Sequence, residues 1–137
     1  MLKKRIIFTL IHDNGNFMLS RNFRLQKVGD IEWIKKNYNF SKIAFYIDEL
    51  IILDVTRNNR DIKKFGNILK KITEGCFVPI SAGGGIRNIE DAKYLLRSGA
   101  DKIVLNSSLF EDKILVYNLS KEFGQQCIIA SIDVSKN

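Results

Sequence analysis

The sequence predicts an α/β fold of parallel β/α units, the opening part of a (β/α)8 barrel truncated after strand five (a half-barrel), with residues 1–137 as a single domain. Three observations carry that expectation. Apolar runs of strand length alternate with stretches of helical period, which makes the strands parallel and the crossovers right-handed. The run Glu49-Leu50-Ile51-Ile52-Leu53-Asp54-Val55 has the continuous apolar middle of a strand buried on both faces. Polar or flexible residues then close successive strands: Asp54, the glycines at 83–85, Asn106 and Asp133 recur every 23 to 29 residues.

An open doubly wound sheet shares this alternation. The chain, however, stops at Ser135-Lys136-Asn137 without a helix to cover strand five. A barrel cut short is the more coherent reading, a whole one needing about 250 residues.

In order, residues 5–11 read as a buried first strand. From His12 to Gly29 a long mixed loop follows, with Asp13-Asn14-Gly15-Asn16 as a turn or hairpin tip and Met18, Phe23 and Leu25 as apolar anchors. Asp30 caps a helix that carries Ile31, Ile34 and Tyr38 along one side, with Trp33 beside them. The stretch from there to Tyr46 is ambiguous. Strand two is 49–55, and Asn59 or Asp61 opens a helix through Thr73 with Ile62, Phe65, Leu69 and Ile72 at helical spacing. Strand three is 77–82. Asn88 opens the next helix with Asp91 at the capping-box position, Ile89, Ala92, Leu95 and Leu96 face inward, and Gly99 ends it. Strand four is 102–105. Residues 108–123 contain helix four, with Leu115, Leu119 and Phe123 on one face and Gly124 closing it, and strand five is 128–133.

Composition narrows the function. Hydrophobic residues make up 45% and charged residues 27%, the balance of a chain that folds around a core. No apolar run approaches the roughly 18 residues of a membrane span. The basic, apolar N-terminus is too short for a signal peptide and lacks a small-residue cleavage site. Cys76 and Cys127 lie far apart with no histidine cluster, so neither a disulfide framework nor a zinc site is expected; a reducing cytoplasm fits best. No metal or cofactor is called for. The net charge of +7 is spread over helix faces without aromatic interleaving, which argues against nucleic acid and leaves a general attraction for anionic, phosphorylated ligands.

The stretch Ser81-Ala82-Gly83-Gly84-Gly85-Ile86-Arg87 carries the chemistry most openly. Glycines at a strand end let backbone approach a ligand closely, and the helix behind them points its free N–H groups at the same spot. That is a phosphate cradle, or in the plainer reading a flexible turn.

Taken together, Lys4-Arg5-Ile6-Ile7 with Asn22-Phe23, Asp48-Glu49-Leu50-Ile51-Ile52-Leu53-Asp54, Gly83-Gly84-Gly85-Ile86, the run from Gly99 to Ser107, and Ile132-Asp133 resemble the cyclase subunit of imidazole glycerol phosphate synthase. The resemblance covers essentially the whole chain and the N-terminal half of that family's barrel. It implies ammonia from a partner glutaminase and a small phosphorylated substrate. By resemblance, Gly84, Gly85, Asn106 and Ser107, with Asp54 nearby, bind phosphate and substrate. Asp133 matches one of two catalytic aspartates. Arg5, Glu49 and Lys102 match three of four charges of an ammonia gate, and Asp48 and Asp101 fall where the glutaminase docks.

The match is incomplete at two places. The other catalytic aspartate falls on Ile11, with His12 beside it, and a loop lysine falls on Leu19. Isoleucine cannot transfer a proton, whereas imidazole titrates near neutrality but should point to the opposite side of the strand. This pattern resembles the branch serving acetamidino-sugar synthesis for surface polysaccharides. The histidine-pathway cyclase itself is the alternative. A third reading is a non-catalytic binding or assembly module that self-associates through the open edge of strand five.

Overall fold

The computed structural model describes residues 3–22 and 24–135; Phe23, expected as an apolar anchor and part of a motif, lies outside them. The elements are β1 (Ile7–Asp13), β2 (Asn16–Arg21), β3 (Arg24–Gly29), α1 (Ile31–Asn37), α2 (Phe40–Ile43), β4 (Glu49–Asp54), α3 (Ile62–Thr73), β5 (Ile80–Gly83), α4 (Ile89–Arg97), β6 (Lys102–Leu105), α5 (Ser108–Glu111), α6 (Lys113–Phe123), a 3-10 turn (Gln125–Cys127) and β7 (Ile128–Ala130). They form one sheet in the order β3-β2-β1-β4-β5-β6-β7. The β1-β4-β5-β6-β7 part is parallel, as the alternation predicts, and helices return the chain between its strands.

The core lies on the helix side of this sheet. Side chains alternate between the faces of a strand. Leu10, Leu50, Ile52, Ile80, Ala82, Ile103 and Leu105 are buried against Phe65, Leu69 and Ile72 of α3, Ala92 and Leu95 of α4, and Leu115 and Leu119 of α6. The intervening residues, among them Ile11, Leu53, Gly83 and Val104, stand side by side on the other face, as their register shows.

Several boundaries depart from the sequence reading, each for a local reason. The expected loop from His12 to Gly29 is instead two antiparallel strands, β2 and β3. Asn14 and Gly15 both take positive φ (47° and 85°), the geometry of a tight two-residue hairpin turn, so β1 runs on to Asp13. Strand three starts at Ile80 because Pro79 offers the ladder only its carbonyl, to Leu50 N–H, while Phe77 is exposed. Strand five ends at Ala130, although Ser131 N–H still bonds Leu105 O. Helix four is two helices: Asp112 leaves helical geometry and caps α6 through Leu115 N–H. The unassigned stretch before Tyr46 holds α2, capped by Asn39. Asp61 rather than Asn59 caps α3, accepting from Lys63 and Lys64 N–H.

A buried polar hub ties the hairpin to the sheet. His12 faces the helix side with its ring against Phe17 and Phe65, only 3% exposed. Its Nε2 accepts from Gly15 N–H at 2.9 Å, so its proton sits on Nδ1, which donates to Asp54 Oδ1 at 2.9 Å. Thr56 donates its hydroxyl and its N–H to the same oxygen, and Thr56 Oγ1 accepts from Asn14 N–H. Burial pushes the Asp54 carboxyl up. The donors from His12 and Thr56 outweigh that and hold it below the ordinary carboxylate value.

A depressed folded-state value stabilises the fold above the ordinary carboxylate pKa of about 3.9, and that stabilisation is lost as pH falls through the folded value. Replacing Asp54 with Asn should cost about 2 kcal/mol at pH 7, since it strips a buried charged acceptor from several donors. Urea unfolding across pH 7 to 3 checks both points. The parent's stability should drop in the acid limb more steeply than that of Asp54→Asn, and equal curves would contradict the hub.

Candidate functional site

A cleft of about 610 Å3 opens where β4, β5 and β6 end and the chain after β7 passes. Its walls bring together Leu53, Gly84, Gly85, Asn106, Ser107 and Asp133, which are far apart in sequence. Parallel strands put all their C-terminal ends on one side, so three successive strand–helix connections and the segment after β7 contribute.

The glycine wall is built by close approach. Gly84 has φ 123°, and a Cβ there would strike the carbonyl oxygen of Asp54; Gly85 has φ 61°, and a Cβ would strike the Arg60 guanidinium. A side chain at either position would be strained by its positive φ, and at Gly84 it would also meet fixed backbone. The N–H groups of Gly84, Gly85 and Ser107 have no hydrogen-bond partner among the described residues. Ser107 occupies the N-cap position of α5 without a capping bond from its hydroxyl, while Ser108 Oγ donates to Ile86 O at 3.1 Å and ties the β6 connection to the glycine loop. Asn106 Nδ2 donates to Asp133 Oδ2 at 3.1 Å, which orients the exposed carboxylate along the same wall.

Asp54 borders the cleft, but its carboxylate is taken up by His12 and Thr56 in the hub. Ile11 pairs with Leu53 on the face away from the helices, and His12 lies on the helix side with both ring nitrogens occupied. The two neighbours therefore serve opposite faces of β1.

At the other end of the strands, Arg5, Glu49 and Lys102 form one ion cluster. Glu49 bonds Arg5 through Oε1, Lys102 Nζ stands 4.0 Å from the same oxygen, and the glutamate side chain is 8% exposed. Asp48 and Asp101 have matching structural tasks beside it. Asp48 accepts from Ile6 N–H and Asp101 from Ile80 N–H, each at 2.7 Å, and each returns its own N–H to the same residue's carbonyl. Both carboxylates thus brace the start of a neighbouring strand.

Sequence reasoning missed the cationic lining of the cleft. Arg57 and Arg60, on the connection after β4, and Arg87, after the glycines, all border it. The signal was Thr56-Arg57-Asn58-Asn59-Arg60 directly after an Asp-ended strand, a short polar connection at the functional end of the sheet. No group of three or more metal-ligating side chains comes together among the described residues, and among them no helix is long and apolar enough to cross a membrane.

Residues 24–137 match the family model described as "Histidine biosynthesis protein". A Parasynechococcus marenigrum protein, provisionally named imidazole glycerol phosphate synthase subunit hisF2, is 54% identical over 97% of this chain and 49% of its own length. Imidazole glycerol phosphate synthase subunit HisF of Methanococcus vannielii is 39% identical over 100% of this chain and 49% of its own. That of Dictyoglomus thermophilum is 34% identical over 99% and 53%. The chain spans about half the length of the curated relatives it matches. Its match over residues 24–137 places this chain in the histidine biosynthesis protein family, with HisF-like proteins among its relatives.

Proposed function

We propose that this chain forms the phosphate-binding part of a cyclase-type barrel subunit that receives ammonia from a partner glutaminase and presents it to a phosphorylated substrate. The observation that carries the reading is the cleft itself. Unpaired N–H groups of Gly84, Gly85 and Ser107 line a pocket that contains arginines, and its backbone leaves no room for a side chain at Gly84. Backbone donors with the Asn106 amide suit a phosphate dianion, because they carry no proton that the ligand could take. Asp133, oriented by Asn106, is the group placed to act as general acid or base, or to hold the substrate's reacting end. The Arg5–Glu49–Lys102 cluster lies at the far end of the same strands, where an ammonia gate would stand.

Ile11 selects the branch. A ring closure that depends on paired carboxylates lacks one of them here, and His12 cannot reach across the strand to replace it. Delivery of ammonia to a sugar amidotransferase, as in acetamidino-sugar synthesis for surface polysaccharides, requires no second carboxylate. The chain would work in the cytoplasm, where such phosphorylated intermediates are held.

The full-length protein with added ammonium and the ribulosyl substrate of the histidine pathway tests the branch. No imidazole product is expected from the parent, and Ile11→Asp should raise formation at least tenfold above background. Efficient turnover by the parent would assign it to histidine synthesis instead. A second measurement addresses the gate. With the glutaminase bound, Glu49→Gln should lower glutamine-driven transfer by about tenfold while leaving transfer from free ammonium within about twofold, since a pair of cations left without their shared anion no longer sets the passage. Equal loss with both nitrogen sources would show a folding defect.

A further inference from the structure

We propose that Arg60 is an anion ligand of the cleft, donating to a phosphate monoester seated on the Gly84–Gly85 backbone. This rests on the phosphate reading above and adds a residue that supplies charge to it.

Arg60 leaves the connection after β4 and lays its guanidinium against Gly85, close enough that a Cβ there would overlap Nη1. The side chain is 25% exposed and borders the cleft. Its donors are poorly used. Nη2 is 3.4 Å from the Asp54 carbonyl, and Nε lies 3.3 Å from Asp54 Oδ2 yet is buried without a hydrogen bond. A guanidinium has five N–H donors, and leaving them unmet in a partly buried place is unfavourable. Asp54 Oδ1 already accepts from His12 and Thr56, and its Oδ2 meets Arg60 only through the Nε ion pair at 3.3 Å. If Arg60 served only to pair with Asp54, its fork would face the carboxylate squarely. It instead spans from Asp54 to the glycine wall, with Nη2 toward the Asp54 carbonyl and Nη1 against Gly85.

The geometry has a chemical consequence. A phosphate on Gly84, Gly85 and Ser107 N–H would sit in the cleft that Arg60 borders and would accept from its guanidinium, a charge-assisted contact that a guanidinium makes through parallel bonds and an ammonium does not. Arg57 and Arg87 border the same cleft and are exposed, so they add field rather than a fixed contact.

The test is titration of inorganic phosphate into the full-length protein, followed through the backbone amide shifts of Gly84, Gly85 and Ser107, with Arg60→Gln and Arg60→Lys in parallel. The three amides should move in the parent. Arg60→Gln should bind at least about tenfold more weakly yet reach the same shifts at saturation, and Arg60→Lys should fall between. A Gln variant with parental affinity and the same moving amides overturns the Arg60 assignment and leaves the phosphate site standing. Silence of all three amides in the parent overturns both. Should the Gln variant fail to fold, Arg60→Lys decides: a loss of about threefold or more supports the assignment, and unchanged affinity overturns it.

Discussion

The Asp54 carboxylate is the contact on which the functional end of the molecule depends. It ends β4, fixes the His12 ring through Nδ1, holds Thr56 by two bonds, and stands beside Arg60. Through His12 it reaches Gly15 N–H, and through Thr56 it reaches Asn14 N–H, so one buried charge positions both residues of the hairpin turn. Its own carbonyl oxygen meets Gly84 where no Cβ fits. A carboxylate with this many donors stays ionised despite burial, and the low local dielectric makes each bond count for more. The hairpin and the glycine wall, remote in sequence, are therefore set by the same group.

The two ends of the sheet divide their tasks. At strand starts, Asp48 and Asp101 brace their neighbours while Glu49 is clamped between Arg5 and Lys102. At strand ends, polar groups are left open: Gly84, Gly85 and Ser107 N–H, and the Asp133 carboxylate held by Asn106. On the helix side, a packed middle of Leu10, Leu50, Ile52, Ala82 and Ile103 separates these ends. The pair Ile11–His12 divides its tasks on one strand, the first residue serving the open face and the second serving the hub.

Much of this was legible in the residues because period and punctuation agree. The parallel strands, the Asp30, Asp61, Asn88 caps and the glycine loop all follow from local rules that tertiary packing did not override. The hairpin strands β2 and β3 were hidden, since Asn16–Arg21 and Arg24–Gly29 pair through backbone alone and carry few core side chains, Phe17 apart. The split at Asp112 was a cap placed inside an otherwise continuous helical pattern. Asp54 was anticipated at the cleft, but the direction of its carboxylate was not. That direction is fixed by His12, a partner forty-two residues away whose register no local pattern shows. The same holds for Arg60, whose role comes from what lies across the cleft.

The most direct test of the account is the crystal structure of the full-length protein grown with inorganic phosphate. Phosphate is expected on the N–H groups of Gly84, Gly85 and Ser107, with the His12–Asp54 bond intact behind it. Phosphate bound elsewhere with this cleft vacant, or a hub broken to admit it, would contradict the account.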